Sequence, residues 1–292
     1  MAREIICINE DNVSTLLTDR FLPWLLQSAE GLYEVSNTVT RSPNTMTDGS
    51  TYQGSVTAER NIVLIMRDRP DSDHKANREL LYSIFKPKSE GTFIYTENGV
   101  TRSIRYYVEK IYIDSEKRSR SATISLICPD PFFTAMEDTV VKMAGWSAMF
   151  EWQHEFIDGG EELGARNNER LKAIDNSSAA DNIGVTITID AQGPVTNPTI
   201  YHVEQETEIA LGTENNPLYL VTGDKLIITT HTNNKHVYLI HEGVKTEINE
   251  YLTEESEFIQ LQHGINTFGY GASAGVAYVS VTISYRYQYL GV

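Results

Sequence analysis

Gly271-Ala272-Ser273-Ala274-Gly275 spells the G-x-S-x-G pattern of a nucleophile elbow. That chemistry needs a strand before the serine, a helix after it and a general-base histidine later in the chain. Here the strand-like "VAYVSVTISYRYQYL" follows, and the last histidine, His263, lies upstream. The stretch therefore reads as a small-residue hairpin turn, with Ser273 a turn residue. His231, His236 and His241 recur at a spacing of five. On one strand an odd spacing sends successive side chains to opposite faces, and Thr232 to Lys235 reads as a turn between the first two. They are expected on half-buried strands, with no shared metal. Asp158 to Glu162, "DGGEE", gathers carboxylates without the ordered ligand spacing of a calcium loop. The acids of "DRPDSD", Asp68 to Asp73, favour the start of a following helix through its dipole.

Cys7 and Cys128 lie in the apolar runs "EIICI" and "SLICP" and read as small buried hydrophobes. Two cysteines are too few for a disulfide framework or a structural zinc site. There is no phosphate loop or dinucleotide fingerprint, and nothing singles out an acid pair among 40 carboxylates for glycoside hydrolysis. No catalytic, cofactor-binding or metal-ligating residue is assigned, and no cofactor is expected. The weight moves from an enzyme to a binding or structural protein.

The elements that would position any site are mostly strands. "REIICI" is a short strand, and "ERNIVLIMRD" (Glu59 to Asp68) is apolar enough to be central in a sheet. "DHKANRELLYSIFKP" changes period: Ala76, Leu80, Leu81, Ile84 and Phe85 form one stripe of a helix over about 74–86, with Asp73 as N-cap and Pro87 at its end. Asn98-Gly99 between two β-rich arms is a hairpin signal. In "SRSATISLICPD", Ala122, Ile124, Leu126 and Cys128 face one way. Pro129 and Pro131 end that strand because proline cannot donate to a ladder, and Phe132 and Phe133 are expected to lead into a second domain. Asp158 to Gly184 reads as a long exposed loop with one short helix at Arg166 to Ile174. From Val185 onward short alternating strands predict an antiparallel β-sandwich. The last of them alternates from Val279 through Val281, Ile283, Tyr285 and Tyr287 to Tyr289.

The 292 residues suffice for two domains, placed at 1–131 and 132–292. Net charge is −16, and it is uneven: residues 1–140 carry −4 and residues 141–292 carry −12. Neither half offers the basic surface that grips nucleic acid by counterion release. No run approaches the roughly 18 apolar residues of a membrane span, and "MAREIICINEDN" has charges where a signal peptide needs an apolar run. A soluble protein assembled in the cytoplasm is expected, with no membrane insertion.

The order of features resembles one family. "RNIVLIM", "NRELLYSIFKP" and "GTFIYTENGVTRSIRYYVEKI" come before the stop at "CPDPFF". An all-β half follows, with "NPTIYH", "TGDKLIITTHTNNKHVYLI", the Ser-x-Phe-x-x-Leu-x-x-Gly-x-Asn segment at Ser256 to Asn266, and "VTISYRYQYLGV". The chain is similar to the distal tail proteins of siphophages. The resemblance implies a mainly β fold, with an N-terminal ring-forming domain that has one helix and a C-terminal galectin-like antiparallel β-sandwich at the periphery. It further implies a homohexameric ring at the virion tail tip, a tail tube protein on one face, a tail-associated hub protein on the other, and receptor-binding or side-fibre proteins as further partners. DNA would pass through the ring without sequence-specific binding. The alternative is a carbohydrate- or receptor-binding adhesin, with Trp146 and Trp152 as candidate platform residues; a hydrolase is a third reading.

Overall fold

In the computed structural model, which describes residues 3–20, 24–69, 72–114, 121–143, 145–148, 164–167, 170–178 and 180–292, the period-two alternation becomes strand after strand buried on one face. The chain first forms β1 (Glu4–Asn9), β2 (Ser14–Thr18), β3 (Trp24–Glu30), β4 (Asn37–Pro43), β5 (Ser50–Thr57) and β6 (Arg60–Asp68). The helix α1 (His74–Ile84) follows, then β7 (Glu90–Glu97), β8 (Val100–Ile113), β9 (Ser121–Cys128) and β10 (Phe133–Ala135). Seven of these strands close on themselves: the order β8-β7-β1-β2-β3-β6-β9 returns to β8, because β8 and β9 also pair. Closure leaves no free edge among those seven. Ile5, Cys7, Leu17, Ile62, Leu64, Phe93 and Leu126 point into one core, which Leu81 and Ile84 join from α1 and Phe85 from the cap that follows it.

Local chemistry explains the boundaries. The Asp73 carboxylate accepts from the backbone N–H groups of Lys75 and Ala76, 3.1 Å each, which starts α1. The helix ends at Ile84, before the expected 86, and Ala76 is exposed. Asn77 is buried in its place, because its amide donates to the Asp68 carboxylate at 2.8 Å. β7 and β8 meet through Asn98-Gly99, both at positive φ (55° and 79°), which is the two-residue hairpin turn the strand twist favours.

The proline passage turns the chain back instead of handing it on. The Asp130 carboxylate accepts from Phe132 N–H at 3.2 Å, and Phe133 is fully buried in the first core, 6.4 Å from the Phe93 ring. The strand β10 that it begins pairs with β8. The compact units are residues 1–136 with 288–292, and residues 137–287. The division therefore falls five residues after the expected one, and the second unit is inserted between β10 and a returning strand.

The second unit contains β11 (Thr139–Lys142), β12 (Gly145–Ala148), β13 (Gly164–Asn167), β14 (Leu171–Asn176), β15 (Ile183–Gly184), β16 (Thr186–Ala191), β17 (Val195–His202) and β18 (Thr207–Ala210). β19 (Tyr219–Leu220), β20 (Lys225–His231), β21 (Asn234–His241), β22 (Val244–Glu247), β23 (Gln260–Leu261), β24 (Gly264–Ala274) and β25 (Val279–Tyr285) complete it. One antiparallel sheet has the order β11-β25-β16-β20-β21-β22, and a second has β14-β24-β17-β18 with β19 beside β17. Alternate residues of β16, β20 and β25, and Ile200, Phe268 and Tyr270 of the second sheet, are buried. The fold is mainly β.

Two expectations fail here. No helix occupies 166–174 among the described residues: Leu171–Asn176 is the strand β14, paired along its length with β24. Ile174 and Asn176 point inward, and the Asn176 amide donates to Gln262 O at 3.1 Å. The final alternating run also breaks. β25 stops at Tyr285, and β26 (Gln288–Tyr289) joins the first unit through β10.

Candidate functional site

Among the described residues β4 and β5 pair only with each other. They form a ribbon whose residues are nearly all exposed, roughly 25 Å long at the rise of a strand. Met46 at its tip is 96% exposed and Val56 is 73% exposed; Val39 and Tyr52 are exposed as well. Its polar contacts are internal, such as Gln53 Nε2 to Ser42 Oγ at 2.7 Å and Thr51 Oγ1 to Asn44 Oδ1 at 3.0 Å. The arm carries one Arg, Arg41, and one Asp, Asp48, so it is neutral within an acidic chain. A lone two-stranded ribbon is marginal in water. One that also holds out apolar side chains is suited to lie against a neighbour.

The root of the arm is fixed. Ala58 N–H donates to Ser36 O at 2.8 Å, closing it. Gly31 sits at φ 80°, so close to β6 that an added Cβ would lie 2.0 Å from Asn61 O. Arg60, the first residue of β6, is buried and spends its guanidinium on backbone carbonyls. Nη1 donates to Gly31 O at 2.5 Å, Glu34 O at 2.7 Å and, more weakly, Leu32 O at 3.4 Å. Nε donates to Pro131 O at 2.7 Å, and Nη2 donates to Leu290 O. The group also stands 5.0 Å from the Phe133 ring centroid. Burial pushes the Arg60 pKa down, but the carbonyl dipoles accept the charge. One side chain thus holds the arm root, the proline passage and the returning segment. Arg102 adds a second hold on that segment, donating to Gly291 O and covering the Tyr289 ring at 3.9 Å.

At the far end of β6, buried Asp68 accepts from Ser72 Oγ at 2.7 Å, from Asn77 Nδ2 at 2.8 Å and from the His74 ring. Burial raises its pKa, and these three bonds more than offset that, leaving it below the ordinary carboxylate value. The network ties α1 to the barrel.

The two units match two families, in order along the chain. Residues 19–128 match the family described as phage tail protein RIFT-related domain, and residues 179–289 match the siphovirus-type tail component, C-terminal domain. The chain belongs to the distal tail proteins of siphophages. This distal tail protein is therefore a structural component of the phage tail. Its fold is similar to the crystal structure of the Dit protein of phage SPP1, described as a paradigm of the hub adsorption apparatus in phages infecting Gram-positive hosts. The two are 12% identical, with a TM-score of 0.69 over 98% of this chain and 99% of that one. A chain of the phage p2 baseplate in its activated conformation with calcium is 11% identical, with a TM-score of 0.52 and full coverage of both chains. No curated protein matches it.

The chemistry-bearing residues of the distal tail protein are scattered. Ser273 is the exposed penultimate residue of β24, and the chain then crosses through αL Gly275 to a strand of the other sheet, so the stretch is a crossover and not a hairpin. His231, His236 and His241 each bond a different partner: Thr186 Oγ1 at 3.1 Å, Glu247 at 2.6 Å and Asp224 at 2.7 Å. Burial lowers the His231 pKa, whereas the Asp224 bond raises that of His241. Cys7 and Cys128 are buried free thiols, and burial pushes Cys128 up to about 12. Among the described residues no three His, Cys, Asp or Glu side chains are grouped to hold a metal. Asp158 to Glu162 and Trp152 lie outside the described residues, and Trp146 is in β12.

The Ser256 to Asn266 segment now has a physical account. Ser256 Oγ accepts from Ala210 N–H at 3.0 Å, Leu261 is fully buried, and Gly264 takes φ 92°. Fully buried Asn266 closes the turn, donating to Gln262 O and Gly264 O at 2.8 Å each and accepting from Gln262 N–H at 2.8 Å. Its role is to shape the entry to β24.

Proposed function

We propose that this distal tail protein assembles as a closed homohexameric ring at the tail tip. The first unit builds the ring, and the exposed arm β4–β5 of each copy lies against its neighbour. The second unit, with a galectin-like sandwich, stands at the periphery. One ring face receives the tail tube protein and the other a tail-associated hub protein, and the bore lets DNA pass. Assembly takes place in the host cytoplasm, before adsorption to a new host. A cyclic ring needs a head-to-tail contact repeated around one axis, and a neutral apolar arm is suited to supply it. Like-charge repulsion favours keeping the half at −12 outside and the half at −4 at the contacts.

The carrying observation is the arm: apolar side chains held in water on a ribbon that has no core of its own. The test replaces residues 37–57 by two glycines. Ser36 O and Ala58 N–H already meet, so the barrel is expected to fold. Light scattering of the intact protein, if needed with tube and hub proteins present, should give about 200 kDa, six copies of the 32.9 kDa chain. The arm-deleted protein should give single chains with an unchanged circular dichroism spectrum. A monomer from the intact protein even with tube and hub present, or a ring from the deleted one, would contradict the proposal.

A further inference from the structure

The second unit presents two unlike outer faces. That of the six-stranded sheet mixes polar and apolar side chains: Thr188 and Thr282 stand side by side, Ile227 and Tyr238 continue their row, Lys225 pairs with Asp190 at 3.3 Å and His236 with Glu247 at 2.6 Å. That of the five-stranded sheet carries an apolar patch centred on Gly269 and Tyr201 of the inner strands β24 and β17 and reaching the edge strand β14. Leu171 is 52% exposed and Ile265 is 67% exposed, and Val203 is exposed beside them. Leu171, Gly269, Tyr201 and Glu208 stand in one row across four strands. A Cβ on Gly269 would meet the Tyr201 ring at 2.1 Å, so the ring lies across the glycine. A ring seated this way is already placed for a contact and loses little freedom on binding.

Three acids border this centre. Asp175 is paired in register with Ile265, Glu208 with Tyr201, and Glu204 lies over Thr267, accepting from its N–H and hydroxyl at 2.6 Å each. An apolar centre that contains an aromatic residue, within a charged rim, is the anatomy of a protein interface. The rim also selects the occupant. A second copy meeting the same face would set carboxylates against carboxylates, and like charges across an interface cost several kcal/mol. We infer that the outer face of the five-stranded sheet docks a different protein, one presenting an apolar patch bordered by lysine and arginine. The inference does not depend on the ring or its copy number.

The test places a photo-crosslinking residue at position 171 in one protein and at position 282 in another, each in assembled tails. Position 171 should join a second kind of protein through a peptide rich in Lys or Arg, and position 282 should give roughly tenfold less of that product, the discrimination expected between the centre of an interface and a face outside it. Adding Ile265→Glu should lower the yield at position 171 by about tenfold, as loss of a central contact does. Because Ile265 is largely exposed, the variant should fold with an unchanged melting curve. Raising salt should weaken the crosslink, since the rim is electrostatic. A product joining two copies of this chain, a product with glycan or lipid, equal yields at the two positions, or no product from position 171 would each overturn the inference.

Discussion

Replacing Arg60 by methionine should destabilise the first unit by about 3–5 kcal/mol, the balance between several carbonyls left without a donor and a charge that no longer has to be buried. The methionine keeps most of the apolar stem but cannot donate. The carbonyls of Gly31, Glu34, Pro131 and Leu290 then lose their donor at once. Each orphaned acceptor costs roughly 1–3 kcal/mol. Part returns because a charge no longer has to be buried, and part because water can enter from the adjoining cavity of about 160 Å³ lined by Gly31, Glu34 and Pro131. Arg60→Lys is the sharper control. It restores the charge, but its compact ammonium cannot span acceptors from three chain segments as the planar fork does, so it should recover less than half of the loss. Urea denaturation followed by circular dichroism gives the energies. Amide exchange should show residues 31–36 and 288–291 opening together in the methionine variant. A loss below about 1 kcal/mol, the cost of an ordinary surface change, or full recovery by lysine, would refute the view that the fork holds these segments.

Asp68→Asn should cost about 1–3 kcal/mol at neutral pH. The folded pKa of Asp68 is lowered, so its contribution is complete above the unfolded value of about 3.9 and is lost as pH falls through the folded value. Urea midpoints of wild type and variant should therefore differ by a constant amount above about pH 5 and converge in acid; a gap that stays constant below the folded value would contradict the assignment. Gly269→Ala must displace the Tyr201 ring and should cost about 1–3 kcal/mol. Combined with Tyr201→Ala the two losses should add to less than their sum, and strict additivity would place the ring elsewhere.

Elements whose signals are local could be read directly. Asp73 caps α1 by its own carboxylate, Asn98-Gly99 makes its turn by its own backbone preference, and Ile62, Leu64 and Met66 alternate because one face of β6 is buried. The arm was invisible for the opposite reason. Neither face of β4 or β5 is buried, so "NTVTRSP" and "STYQGSVT" carry no alternation to detect. Leu171–Asn176 looked helical or loose because an edge strand with one exposed face needs few apolar residues. Arg60 gave no sign of its role, since its partners are carbonyls contributed by residues 26 to 230 positions away. The resemblance to distal tail proteins supplied what local chemistry could not, because it rests on the order of segments.

The insertion of residues 137–287 into the first unit also sets a clock on synthesis. A ribosome makes β1 through β10 and then about 150 further residues before Gln288, a delay on the order of ten to thirty seconds. During that interval Arg60 and Arg102 wait without the carbonyls of Leu290 and Gly291, and β10 waits without β26. The inserted unit is continuous in sequence and can complete itself meanwhile. The first unit matures last, when residues 288–292 arrive. Nascent chains crowded on one messenger would thus keep the first unit incomplete until residues 288–292 of each had been made.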